Sequence, residues 1–188
     1  GPVASETGPA GLRALVQQLA DVSRGRFIGP AAKALSHEAI VRIKDCFNRG
    51  QDPYGATWEP VSRGGKPLLD TARLRNAFVD NTLPWTGTIS IFNPTKYARL
   101  QNDGGVVQAK GDGYLTFPVK IAGSALATRG GVVTARRRGT KQWVKVKSVT
   151  IKARPFIPDE RGLPPDWEAK MALVAQTLFS KRYPTLKP

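Results

Sequence analysis

Trp143-Val144-Lys145-Val146-Lys147-Ser148-Val149-Thr150-Ile151-Lys152 is the stretch on which the fold class turns. Val144, Val146, Val149 and Ile151 are strand formers. Lys145, Lys147 and Lys152 interrupt them at a spacing close to two residues, which predicts a strand with one apolar and one cationic face. The alternation slips phase at Ser148, where a bulge or a local twist is expected. Two readings of the cationic face stand side by side: lysines that blunt an exposed sheet edge, or a surface that meets phosphate.

Working outward, Leu115-Thr116-Phe117-Pro118-Val119 reads as another strand. Pro118 has no N–H for a central ladder, so it belongs at an edge or a strand end. Thr86-Gly87-Thr88-Ile89-Ser90-Ile91-Phe92 alternates at Ile89 and Ile91, and Asn93-Pro94 ends it. Residues 123–142 are the loosest part of the chain. Helical spacing appears on both sides of these strands. Leu12, Leu15, Val16, Leu19 and Val22 predict a helix over 10–24, closed by Gly25. Leu35, Ala39, Ile40, Ile43 and Phe47 predict a second over 30–47, with Pro30 in its first turn. Leu68–Phe78 reads as a short helix capped by Asp70 or Thr71, with Leu74 and Phe78 on its inner face. Tyr97–Asn102 makes one or two helical turns before Asp103-Gly104-Gly105. Pro164-Pro165-Asp166 opens a closing helix that runs to about Tyr183, with Trp167, Met171 and Leu178 on its stripe and Lys181-Arg182 at its C-terminal end.

Strands grouped together between helices, without long alternating βα units, indicate an α+β fold. The expectation is an antiparallel β-sheet packed by two or three helices, carrying a long basic β-hairpin or loop. Residues 1–9 read as a flexible N-terminal tail, in which Gly1-Pro2 without an initiator Met looks like a protease scar. Residues 10–183 read as a single domain with the basic arm at about 105–152, and 184–188 as a C-terminal tail.

Charge gives that arm its interest. The chain has 188 residues and a formal net charge of +15. Residues 104–154 hold 11 Lys or Arg against Asp112 alone, so two-thirds of the excess sits in about a quarter of the chain. The same stretch holds 8 of the 19 glycines. Such a distribution calls for an acidic partner. Arg129, Arg136, Arg137, Arg138, Lys141, Lys145, Lys147 and Lys152 are the candidate contact residues, for nucleic acid or for a protein interface. Contacts of this type would grip phosphates without reading sequence. No transmembrane helix is expected, since no run of 18 apolar residues occurs.

Catalysis finds little support. His37, the only imidazole, sits on the polar side of the second helix, and no spacing supplies a hydrolytic triad. Cys46, the only cysteine, reads as a partly buried structural thiol, and with one His it cannot build a zinc cage. Carboxylates are too scarce and scattered for a metal-dependent nuclease. The glycines at 104, 105, 111 and 113 match neither phosphate-loop pattern. The reading is no enzyme, no catalytic residue, no metal and no cofactor.

Gln51-Asp52-Pro53-Tyr54-Gly55-Ala56-Thr57-Trp58-Glu59-Pro60 is turn chemistry. Asp52 accepts from nearby amides, Pro53 presets φ, Gly55 allows positive φ, and Trp58 anchors the turn. With Phe47-Asn48-Arg49-Gly50 immediately before it, and together with Leu68-Leu69-Asp70-Thr71-Ala72-Arg73-Leu74-Arg75, Tyr97-Ala98-Arg99-Leu100-Gln101-Asn102-Asp103-Gly104 and Ala153-Arg154-Pro155-Phe156-Ile157, in that order, it resembles the virion morphogenesis and tail completion proteins of tailed phages of the Mu and P2 type. The resemblance spans about residues 30–180. It rests on Asp52, Pro53, Gly55, Trp58, Leu69, Thr71, Leu74, Tyr97, Ala98, Gly104, Arg154, Pro155 and Phe156, all of which read as structural. Ala72 departs from the pattern, which has Gly there, and Gln101-Asn102 stands where His-Gln is common. Residues 105–152 are longer and more basic than the pattern.

The resemblance implies a small non-enzymatic subunit that assembles into a ring, a hexamer in expectation, at the head-proximal end of the tail. Such a ring resembles a tail terminator. Its partners would be other copies of itself, the tail tube and head-connector proteins, with non-specific contact to genomic DNA and none to membrane. Its place would be the virion neck, assembled in the host cytoplasm. Two other functions compete with this one: a sequence-independent nucleic-acid-binding module, and a phage-encoded hydrolase or nuclease motivated only by charge.

Overall fold

A computed structural model describes residues 9–61, 67–69, 71–119, 136–138 and 141–186. The fold is α+β, with every described strand pair antiparallel. The chain divides into two compact units. One comprises residues up to Lys44, Phe78–Asn93 and the chain from Asp159 onward; the other comprises Asp45–Ala77 and Pro94–Pro158.

The first unit holds helix α1 (Pro9–Ser23), most of α2 (Ile28–Arg49), strands β1 (Val79–Asp80) and β2 (Ile91–Phe92), and α5 (Pro165–Arg182). Gly25 closes α1 at φ 69, as a residue without a Cβ can. Phe27, Phe179 and Tyr183 form an aromatic cluster, with Phe27 edge-on to Phe179 at 5.2 Å and Phe179 5.1 Å from Tyr183. Tyr183 and Trp167 are buried, as are Ala32, Ser36, Ala39 and Ile43 on α2. Asp166 and Glu168 lie in the first turn of α5 and Lys181 and Arg182 in its last, each matching the sign of the helix dipole. The Ser36 hydroxyl lies 2.7 Å from one Asp80 carboxylate oxygen, and the other accepts from the Thr82 N–H at 2.9 Å. The Thr82 and Ser36 hydrogen bonds hold the Asp80 pKa below its ordinary value.

The second unit holds short helices α3 (Arg73–Asn76) and α4 (Ala98–Asp103) and strands β3 (Gly105–Gln108), β4 (Leu115–Val119), β5 (Arg136–Arg138), β6 (Lys141–Val146) and β7 (Ser148–Ile151). β3 pairs with β7, while β4, β6 and β5 form a separate three-stranded sheet with β6 central. The phase slip at Ser148 is where the chain changes sheets: β6 ends at Val146, and β7 begins at Ser148 against a different partner. Each segment keeps its own alternation, with Val144 and Val146 buried and Lys145 exposed. Pro118 lies in β4, an edge of its sheet, where a missing N–H leaves no central ladder broken.

Three expectations are corrected. Among the described residues, strand pairing is distributed over three small sheets rather than one. The helix expected over Leu68–Phe78 shrinks to Arg73–Asn76, because Ala72 takes a left-handed conformation at φ 52 and stops the helix from extending backward; Phe78 lies beyond it. The strand expected over Thr86–Phe92 shrinks to Ile91–Phe92, because Pro84–Thr86 winds into a 3-10 turn and Gly87 follows at φ 68. Residues 120–135 and 139–140, part of the expected long basic hairpin or loop, lie outside the described residues, as do Asp70 and residues 62–66 of the expected linker.

Candidate interface and the motif core beneath it

Helix α2 ends at Arg49 and hands the chain to the Asp-Pro turn. Gly50, at φ 70, donates its N–H to the Cys46 carbonyl at 2.8 Å. Asp52 then organises the loop as its residue type predicts. Its carboxylate accepts from the Tyr54 N–H at 2.9 Å and the Ala56 N–H at 2.8 Å. The Asp52 N–H donates to the Ala56 carbonyl at 2.8 Å, and Gly55 sits at φ 91 between them. Pro53 is buried. The loop turns Trp58 inward, leaving it 5% exposed. Its ring meets Phe47 edge-on at 5.6 Å, and Phe47 lies 5.0 Å from Phe156. The Trp58 indole N–H donates to the Pro155 carbonyl at 3.0 Å.

The other motif stretches lock onto this cluster through backbone groups. The Arg154 N–H donates to the Gln101 carbonyl at 2.8 Å, and the Asn102 carboxamide oxygen accepts from the Phe156 N–H at 2.9 Å. Gly104 stands at φ 73, ψ −178, a region that side chains other than glycine rarely enter. A Cβ there would lie 2.8 Å from the Ala153 nitrogen, so the chain after α4 touches the chain after β7 backbone to backbone. Ala98 and Leu74 are buried, Leu69 is half-buried, and the Thr71 hydroxyl lies 3.4 Å from the Arg73 N–H. Thr71, Leu74, Tyr97 and Arg154, one or more from each of three motif stretches, line a cleft of about 300 Å³ with Val61, Leu68 and Gln101.

The candidate contact residues are spread along the strands. Arg136, Arg137 and Arg138 make up β5, in register with Trp143, Gln142 and Lys141 of β6. Lys145 is exposed opposite Thr116 of β4. Lys147 and Lys152 are exposed but engaged within the chain. The Lys147 ammonium lies 4.3 Å from the Tyr114 ring centre and donates to the Asp112 and Gly113 carbonyls at 3.0 and 3.1 Å, bracing the β3–β4 turn. Lys152 pairs with the Glu59 carboxylate. Arg129 lies outside the described residues.

His37 is exposed on α2. Cys46 is buried, and desolvation, reinforced by Asp45 and Asp52, pushes its thiol pKa up to about 12. A thiol held protonated in this way is a poor nucleophile. Among the described residues there is no group of three or more His, Cys, Asp or Glu that could hold a metal ion, and no helix is long and apolar enough to cross a membrane. Two polar atoms carried no signal in the sequence: the Arg154 Nε and the Gln101 Oε1 are both buried without a hydrogen-bond partner. No family model, curated protein or solved structure matches the chain.

Proposed function

We propose that this chain is a structural protein of a phage tail, a completion or terminator subunit that forms a ring at the head-proximal end and supports joining of tail to head. The observation that carries the reading is the gathering of the resembling stretches in one unit. Phe47, Trp58 and Phe156 stack together, and Asn102 and Gln101 hold the backbone at Phe156 and Arg154. Residues far apart in the chain thus serve one scaffold, and their roles are packing, capping and turn formation rather than chemistry. A closed ring needs two different patches on each subunit. The basic arm, as a long hairpin or loop, would supply one of them or line the lumen that DNA traverses. Electron microscopy of the purified protein, and of particles lacking it, is the test. Rings, and unjoined tails in the deficient particles, are expected; no ring together with normally joined particles would overturn the proposal.

The exposed Lys145 on β6, the strand that pairs with the three-arginine β5, supports a second reading, a sequence-independent grip on nucleic acid. Retention on DNA should weaken steeply with salt and fall when Arg136, Arg137 and Arg138 are all replaced by Ala. Binding that ignores salt would remove this reading.

A further inference from the structure

The β1–β2 hairpin of the first unit presents an apolar face to solvent. Val79 stands opposite Phe92 in register, so both side chains leave the same face of the pair. The alternate positions point the other way: Asp80 reaches the Ser36 hydroxyl on α2 at 2.7 Å, and Thr82 is buried. Leu83, two alternations on from Val79, opposes Thr88. Val79, Leu83 and Phe92 are all exposed, and Trp85 in the connecting turn is 78% exposed. That turn is braced. The Thr86 N–H and hydroxyl both donate to the Leu83 carbonyl, at 3.0 and 2.9 Å, and the Thr88 N–H donates to the Thr86 hydroxyl oxygen at 3.1 Å. It also rests on the start of α2: a Cβ on Gly29 would lie 3.4 Å from the Pro84 Cβ, and one on Gly87 would lie 3.0 Å from the Ile28 Cγ2. A large aromatic thus stands in water on a turn that cannot fold it away. Trp is enriched among the residues that anchor interfaces, and a pre-organised anchor loses little entropy on docking.

A groove of matching character lies in the same unit. Ala34 of α2 and Leu173, Val174, Thr177, Leu178 and Lys181 of α5 line an open volume of about 380 Å³, at the small end of ligand pockets and suited to one bulky side chain. α5 carries apolar residues on more than one side. It buries Trp167 and sets Phe179 against Phe27, yet Leu173 is 55% exposed. A helix that is apolar around its circumference is normally enclosed. Charge selects the occupant. Residues 76–95 form the longest run of the chain without Lys or Arg, with Asp80 as their single charge, and residues 171–180 of α5 carry no charge at all. Nucleic acid and anionic lipid both recruit cations, so the hairpin suits neither. Two copies of a chain with net charge +15 repel each other, and contact between them is least opposed where both surfaces lack cations. The hairpin and the groove meet that condition, and the groove's one cation, Lys181, is a partner for an indole face. We infer that Trp85 and the apolar hairpin face of one copy dock into the α2–α5 groove of the next. Knob and groove are different surfaces, so each copy offers one of each, as a ring requires. The inference rests on the ring reading and adds to it the two patches that meet.

The test is sedimentation velocity on the full chain and two variants. Trp85→Ala removes the knob, and Thr177→Arg fills the groove and adds a like charge. Both positions are exposed, and an unchanged circular dichroism spectrum verifies each fold; Leu83→Ser and Leu173→Gln replace a variant that fails this check. The unaltered chain should assemble as its concentration rises, and each variant alone should associate at least about thirtyfold more weakly. Mixed together, the two variants should form dimers and nothing larger, because one intact knob then meets one intact groove. An unaltered chain that stays monomeric, variants that assemble as it does, or a mixture without dimers overturns the inference. So does binding to phosphatidylglycerol vesicles that Trp85→Ala abolishes, which would give the hairpin to a membrane. Rings of unchanged size in both variants overturn this contact and leave the ring reading standing. Complementing dimers, with no ring in micrographs and normal joining in particles that lack the chain, would remove the ring reading alone.

Discussion

Replacing Trp58 by Ala probes the joint on which the second unit depends. Trp58 is 5% exposed, lies edge-on to Phe47 at 5.6 Å and donates its indole N–H to the Pro155 carbonyl at 3.0 Å. Truncating a buried aromatic costs about 3–5 kcal/mol through lost transfer energy and the cavity left behind. The Pro155 carbonyl would also lose its donor, and an orphaned buried acceptor costs about 1–3 kcal/mol where water cannot reach it. Some of that is recovered if water enters the cavity, so the working figure is about 4 kcal/mol, a large share of the roughly 5–15 kcal/mol that holds an ordinary domain together. Trp58→Phe separates the parts: it keeps a ring against Phe47 and loses only the hydrogen bond and part of the volume, for a cost of about 1–2 kcal/mol. Urea unfolding followed by far-ultraviolet circular dichroism measures both, with the slope checked for constancy. A double-mutant cycle with Phe47→Leu should return a coupling of about 1 kcal/mol for the edge-on pair. A Trp58→Ala variant less stable by under about 1 kcal/mol, the range of an ordinary substitution, would refute the reasoning. Trp58 would then be a surface residue.

Gly104→Ala should destabilise by at least about 1–3 kcal/mol from its backbone angle alone, with a further penalty because the new Cβ meets the Ala153 nitrogen at 2.8 Å; thermal unfolding reads it. Ala72→Gly should have the opposite sign, since Ala72 sits at φ 52. The relieved strain of about 1–2 kcal/mol outweighs the added chain entropy of about 0.5–1 kcal/mol, so a melting temperature that falls would count against the left-handed turn. Asp80 has a depressed pKa in the folded state, so its bonds to Thr82 and Ser36 contribute stability above the unfolded carboxylate pKa and lose it as pH falls through the folded one. The stability gap between the unaltered protein and Asp80→Asn should therefore be widest above about pH 5 and close at pH values below about 4. Cys46, with its pKa at about 12, should resist a thiol-alkylating reagent at neutral pH and react promptly only once the chain is unfolded.

The elements that the sequence revealed well are those whose signal is local. Period-3.6 spacing located α1, α2 and α5 to within a few residues, and Gly25 and Gly50 close their helices at φ 69 and 70. The Asp52 turn formed with the bonds its residue types call for, because an aspartate side chain reaches amides two and four positions on. Local rules misled where tertiary contacts decide the backbone. Leu68–Phe78 has helical composition, but Ala72 is held left-handed, and one turn is all that forms. Ile89 and Ile91 alternate as a strand should, yet the ladder with β1 is limited to Ile91–Phe92, with a lone bridge from Thr88 to Leu83. Among the candidate contact residues, charge alone could not separate Lys145, which is exposed between two buried valines, from Lys147 and Lys152, which are committed to Tyr114 and Glu59.

The sequence by itself determined the class of the fold, the long helices α1, α2 and α5, the turn at Asp52 and the concentration of positive charge in residues 104–154. Each follows from interactions within a few positions of the chain, or from composition. Only the tertiary structure decided that Trp58, Asn102 and Gln101 meet the segment Arg154–Phe156, and that β6 and β7 part company at Lys147 to serve different sheets. It alone left the Arg154 Nε and the Gln101 Oε1 buried without hydrogen-bond partners. Those outcomes join residues some 50 to 100 positions apart. Whether such a pair satisfies its hydrogen bonds depends on distances that only the packed chain sets.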